Sequence, residues 1–156
     1  GFYIFDKLDY SAQDAAVYVS ISFGIYSTSI VITQTFITPL FKSLKTMMLL
    51  GPVLAFLSFI ALIYVNDIFS LIGALILNGI GFAIVRPSYA SALSQSHDES
   101  FQSSAAGILG STYPIGHMIA PLFVSLYVYG YFYLYSLSAI VCLITVAFTI
   151  FHPYIL

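Results

Sequence analysis

Polar clusters interrupt this chain at intervals of roughly twenty residues, and the stretches between them are apolar nearly throughout. A helix of about 20 apolar residues crosses a hydrocarbon layer. The pattern therefore predicts membrane spans near residues 12–40, 47–65, 68–92, 105–128 and 132–151, with residues 1–5 as the tail of a preceding span. A membrane β-strand would alternate polar and apolar residues over about ten positions. The run MMLLGPVLAFLSFIALIYV shows no such alternation. The expected fold is all-α, a polytopic membrane helix bundle that is incomplete at its start.

Composition sharpens this picture. Hydrophobic residues make up 60% of the 156 positions and charged residues only 6%, against about 25% charged in soluble domains. No basic region or cleavage site marks residues 1–5 as a signal peptide. A net charge of −2 gives no reason to expect nucleic acid as a partner, and the single cysteine, Cys142, has no internal partner for a disulfide.

Three of the four cations fall at one end of the predicted bundle. Lys42 and Lys45 lie between the first two spans, and Arg86 lies near the end of the third. The positive-inside rule makes that end cytoplasmic. Asp6, Lys7, Asp9 and Asp14 then lie outside and the C-terminus at Leu156 inside, which suits a multi-pass protein of a bacterial inner membrane. Tyr127, Tyr129, Tyr131, Phe132, Tyr133 and Tyr135 surround Gly130 at an outer turn, at the headgroup depth that amphipathic rings favour.

Helix starts are legible from capping chemistry. Ser11 and Asp14 have capping-box spacing before the first span, Asp67 follows a tight turn before the third, and Asp98 with Glu99 precedes the fourth. Within the first span, Tyr18, Ser22, Tyr26, Ser29 and Thr33 share an arc of about 80°. Ser20, Ser27, Gln34 and Thr38 form a second polar stripe opposite, expected to pack against another helix, as small polar residues do in membranes.

The fourth span carries Gly110, Pro114, Gly116 and Pro121, expected to break or kink it, together with Tyr113 and His117. Each proline removes a backbone donor, and the carbonyls it frees need partners other than lipid. The second and fifth spans are apolar almost all round and are expected at the periphery. The order polar, apolar, intervening, polar, apolar fits a three-plus-three repeat whose first helix is mostly missing. Nested repeats of this kind mark secondary transporters, which place substrate near the midplane on Gly- and Pro-interrupted helices.

Three stretches carry a resemblance to a known family. YIFDKLDYSAQDAAVY resembles the outer loop and start of helix eight of a major facilitator superfamily transporter. QTFITPLFKSLKTMMLLG is similar to the turn between helices eight and nine, keeping Pro39, Leu40, Lys42 and Lys45 but lacking the Gly-Asp-Arg-Gly-Arg character of the family's better signature. GIGFAIVRPSYASALSQSHDESFQSSAAGILGSTYPIGHMIAPL resembles helices ten and eleven, with its elements in family order. The resemblance covers essentially the whole chain, as the C-terminal half from the end of helix seven through helix twelve, and comes nearest to drug:proton antiporter-type exporters.

The resemblance implies alternating access, proton-coupled efflux of small apolar or cationic compounds, no enzymatic activity and no cofactor. Its implied partners are the lipid bilayer, a missing N-terminal six-helix bundle of the same polypeptide, a small-molecule substrate and protons. Candidates for the substrate cavity or coupling are Tyr18, Ser22, Tyr26, Asn78, Phe82, Tyr113 and His117, borne on the first, third and fourth spans. His117 is an ionisable group inside a span, which is a functional signal, and its ordinary pKa near 6.5 suits proton exchange; it could also simply hydrogen-bond a neighbour. Asn78 could read a polar ligand group or bridge helices. Tyrosine and phenylalanine rings could face a cation. Arg86, Lys42 and Lys45 are candidates for a gate or cytoplasmic anchor. No clustered metal ligands and no Ser-His pattern occur. Two alternatives stay open: a sugar or metabolite transporter of the same fold, and a non-transporting membrane scaffold or assembly subunit.

Overall fold

The computed structural model describes residues 2–95 and 102–151. Gly1, the capping pair Asp98 and Glu99, and the C-terminus at Leu156 lie outside the described residues, as do His97 and His152. The described chain is helical: α1 (Phe2–Asp6), α2 (Ala12–Ile32), α3 (Leu44–Tyr64), α4 (Ile68–Gln95), α5 (Gln102–Val124) and α6 (Tyr131–Phe151). Among the described residues, four segments are long and apolar enough to cross a membrane, namely Ala12–Leu40, Leu44–Tyr64, Ile68–Leu93 and Tyr131–Phe151. In α5 the polar and Gly/Pro positions dilute the apolar ones.

Side chains satisfy the helix starts. Ser11 Oγ accepts from the Asp14 N–H at 3.1 Å, and its hydroxyl donates to Asp14 Oδ2 at 2.7 Å, so the two side chains bond to each other rather than completing a reciprocal box. Asp67 Oδ1 accepts from the N–H groups of Phe69 and Ser70, both at 2.9 Å, and fixes the start of α4. Between α5 and α6, the chain tightens through a short 3-10 turn, Ser125–Tyr129, and reverses at Gly130 with φ of 119°. That backbone region favours glycine.

The core lies between α3 and α4. Gly51, Ala55, Ser58 and Leu62 recur at helical spacing on α3 and are buried. They meet a stripe of Ala74, Gly81, Val85 and Ser88 on α4, also buried. A Cβ at Gly81 would lie 2.7 Å from the Gly51 carbonyl oxygen, so the two backbones touch where neither residue has a side chain. Ser58 Oγ donates to the Ala74 carbonyl at 2.9 Å.

This arrangement corrects the expectation that the second and fifth spans are both peripheral. α3 packs against α4 on one side and α6 on the other, because its small residues admit close neighbours. α6, with only Ala139 and Thr149 buried, does lie outside. The two stripes of α2 also differ from expectation. Ser22 and Thr33 are buried, and Tyr18, Tyr26 and Ser29 half-buried, while Ser20, Ser27 and Gln34 are exposed and Thr38 is half-buried. Gly79 of α4 decides the choice: a Cβ there would strike Ser29 Oγ and the Tyr26 carbonyl, so α2 approaches closely with the Tyr26–Ser29 side inward.

α5 is neither broken nor closely packed. It runs unbroken through Gly110, Pro114, Gly116 and Pro121, and a Cβ at Gly107, Gly110 or Gly116 would meet nothing within 4 Å. Each proline costs one hydrogen bond, but the residue four before Pro114, where the ring crowds the backbone, is Gly110.

Candidate functional site

A cavity of about 320 Å³ opens beside the contact between α2 and α4. Ser22 and Tyr26 of α2, Asn78 of α4, Tyr3 of α1, Leu62 of α3 and Tyr135 of α6 contribute to its walls. Most of the lining is hydrocarbon or ring. Beside the tyrosine hydroxyls, Ser22 Oγ and Asn78 Nδ2 interrupt it, both buried without a hydrogen-bond partner. Ser22 is 3% exposed and Asn78 7%. A buried donor left unpaired costs about 1–3 kcal/mol, so two on one cavity wall mark a place where a polar group of another molecule or segment would be held.

The structure thus brings Ser22, Tyr26 and Asn78 together and leaves the other candidates elsewhere. Tyr18 packs edge-on against Tyr10, with ring centroids 4.8 Å apart. Phe82 is exposed on α4, and His117 is exposed on α5. No described residue of α5 lines the cavity, and the Tyr113 side chain lies outside the described residues. Arg86 lines a separate cleft with Gln34, Thr38 and Pro87. Lys42 is exposed and Lys45 half-buried at the same end of the bundle.

At the opposite end, Tyr127, Tyr131 and Tyr135 of the aromatic cluster near Gly130 gather with Tyr3 and Lys7, a pairing that the sequence did not announce. The Tyr3 hydroxyl donates to the Leu62 carbonyl at 2.6 Å. Lys7 Nζ donates to the Ile63 carbonyl at 2.8 Å and to the Tyr3 hydroxyl at 3.0 Å. The ammonium group also lies 4.2 Å from the Tyr131 ring centroid and 5.2 Å from that of Tyr3. Burial pushes the Lys7 pKa below its ordinary value, while the carbonyl and ring faces favour the charged form. Tyr131 and Tyr135 both meet Tyr3 edge-on, and the Tyr127 hydroxyl donates to Asp6 Oδ2 at 3.2 Å. The available signal was the four-residue spacing of Tyr3 and Lys7, which puts both on one helix face. Their partners on α3 lie about sixty positions away in sequence.

At the end of the bundle away from the Arg86 cleft, the Asp67 carboxyl stands at the start of α4. The Ser70 backbone N–H, then the Ser70 side chain, hold its pKa below the usual aspartate value.

The chain matches the family model described as Major Facilitator Superfamily over residues 3–154. No curated protein and no solved structure matches it.

Proposed function

We propose that this chain, which belongs to the Major Facilitator Superfamily, is the C-terminal half of a proton-coupled exporter of small apolar or cationic compounds. The family is one of membrane transporters, and the four apolar helices make the chain an integral membrane protein. The end bearing Lys42, Lys45 and Arg86 is cytoplasmic by the positive-inside rule.

The observation that carries the reading is the cavity with buried, unpartnered Ser22 Oγ and Asn78 Nδ2 in a mainly apolar and aromatic wall. Such a wall suits a mainly hydrophobic molecule with one hydrogen-bonding group, and the Tyr26 ring can face a positive charge. No Asp or Glu among the described residues lines it, and we assign the carboxylate that balances a cation or carries the proton to the partner bundle. α5 supports the two-bundle arrangement. From Ser103 to Ser125 every described side chain is exposed except that of Leu109, which is half-buried. A membrane helix with a histidine, three glycines and two prolines is best covered by protein and water, which supports a role for His117 on a surface facing the other half.

The test uses single cysteines at Ser22, Asn78 and His117 in the full-length protein with Cys142 replaced. A membrane-impermeant thiol reagent added from either side should label these positions alternately as a proton gradient or substrate shifts the conformation. Protection of all three under every condition would instead mean a dry packing interface and a scaffold role.

A further inference from the structure

At the basic end of the bundle two helix irregularities meet. α2 gives way to a π-helical turn over Thr33–Ile37 and then to a 3-10 turn over Thr38–Leu40. On α4, Pro87 lacks an N–H, so the carbonyl of Ala83, four residues earlier, loses the donor that a regular helix would give it. Thr38 Oγ1 supplies one, donating to the Ala83 oxygen at 3.4 Å. π-helical turns are often found at functional sites, and this one borders an open cleft of about 520 Å³ lined by Gln34, Thr38, Arg86 and Pro87.

The cleft does not stand alone. A second groove of about 500 Å³ runs along the α2–α4 seam, walled mainly by aliphatic residues that include Ile25 and Ile32 of α2, Ile37 of the π-helical turn, and Ile76 and Ile80 of α4. Ile37 adjoins Thr38, and Ile76, Ile80 and Pro87 fall on one side of α4 by helical spacing. An apolar groove and a polar mouth holding a guanidinium and a carboxamide thus lie on the same two helices, adjoining in sequence at Ile37 and Thr38. The charge distribution gives that mouth its sign. Among the described residues Lys42, Lys45 and Arg86 lie at this end, whereas Asp6, Asp9, Asp14 and Asp67 all lie at the other.

We propose that the groove and cleft together bind one anionic phospholipid, with its phosphate on Arg86, its headgroup against Gln34 and an acyl chain along the Ile76–Ile80 groove. Arginine's planar fork matches phosphate oxygens, and basic pockets between membrane helices recognise anionic headgroups. The aliphatic groove favours a lipid over a free phosphate, which could use only the mouth. A lipid seated there would bridge α2 and α4 at the point where both helices depart from regular geometry.

The experiment uses the full-length polypeptide containing this chain, delipidated in detergent. Native mass spectrometry follows adducts with phosphatidylglycerol, phosphatidylcholine or inorganic phosphate. One phosphatidylglycerol should bind at a concentration at least about tenfold below that needed for phosphatidylcholine, and Arg86→Gln should remove the preference. Gln34→Leu, at an exposed position, provides a second variant independent of Arg86 and should weaken the phosphatidylglycerol adduct several-fold. Inorganic phosphate at millimolar concentration should leave the lipid bound. Equal binding of the two lipids, or an unchanged adduct in both variants, overturns the proposal; displacement of the lipid by phosphate reassigns the cleft to a free anion.

Discussion

Lys7 Nζ donates to the carbonyl oxygen of Ile63 at 2.8 Å, so a side chain from the turn after α1 caps the C-terminal end of α3. The last carbonyls of a helix have no partners of their own and carry partial negative charge. An ammonium group satisfies both conditions at once. The Tyr3 hydroxyl on Leu62 makes the same kind of contact one residue earlier, and together they tie α1 to a helix remote in sequence.

Lys7→Met should therefore loosen this end while leaving membrane insertion intact. Loss of a half-buried charged hydrogen bond and its ring contacts is expected to cost about 1–2 kcal/mol. The check is the thermal midpoint of detergent-solubilised protein, followed with the Tyr3→Phe variant. Equal midpoints for wild type and both variants would mean that the tether contributes nothing.

Gly81→Ala and Gly73→Ala should act in opposite directions although both lie in α4. At Gly81 the new methyl would stand 2.7 Å from the Gly51 oxygen and 3.0 Å from the Ala55 nitrogen, both backbone atoms that can give way only by moving the helices apart. A loss of about 1–3 kcal/mol follows from such overpacking. At Gly73 the methyl would meet nothing within 4 Å, and the better helix former should gain up to about 1 kcal/mol. Unfolding curves of the two variants measure the difference, and a Gly81→Ala protein as stable as wild type would contradict the close contact.

Asn78→Leu should raise stability and lower transport. The change removes a buried donor without a partner, which costs roughly 1–3 kcal/mol where it stands, and fills the same region with hydrocarbon. Thermal stability and substrate flux measured on the same preparation separate the two effects. A variant that loses stability would show that the amide is held by structure rather than kept for a ligand.

The start of α4 should depend on acid. Hydrogen bonds to Ser70 hold the Asp67 pKa below its ordinary value, so the folded state binds the proton less readily than the unfolded chain. The stabilisation is therefore complete above the ordinary aspartate pKa of about 3.9 and is lost as pH falls through the lower, folded value. Amide exchange at Phe69 and Ser70, corrected for its intrinsic pH dependence, should accelerate over that acidic range. Asp67→Ala should exchange rapidly at every pH.

The helical class and the caps were legible because they depend on local chemistry. Ser11 and Asp67 announce helix starts within three residues of themselves. Ser22, Tyr26 and Asn78 were legible as candidates, since polar residues on apolar helices are few, but spacing did not set them apart from Tyr18, Phe82, Tyr113 and His117. What sequence spacing could not decide was which face of a helix meets which neighbour. Gly51, Gly79 and Gly81 decide it by letting backbones touch, and a glycine in a sequence does not name the helix that will approach it. The same reason moved α3 from the periphery to the centre. Pro114 and Pro121 were expected to break α5, yet in the structure the helix continues through both.

The α3–α4 seam also bears on how the protein is made. The two helices are adjacent in sequence, joined by the tight connection through Asn66 and Asp67, and touch along glycine, alanine and serine. Contacts between neighbours close small loops and form early. During synthesis this hairpin can assemble as soon as α4 enters the bilayer, without waiting for α5 or α6. It would then serve as the template on which α2 and α6 settle, so substitutions at Gly51 or Gly81 should reduce the yield of inserted protein as well as the stability of what is finally purified.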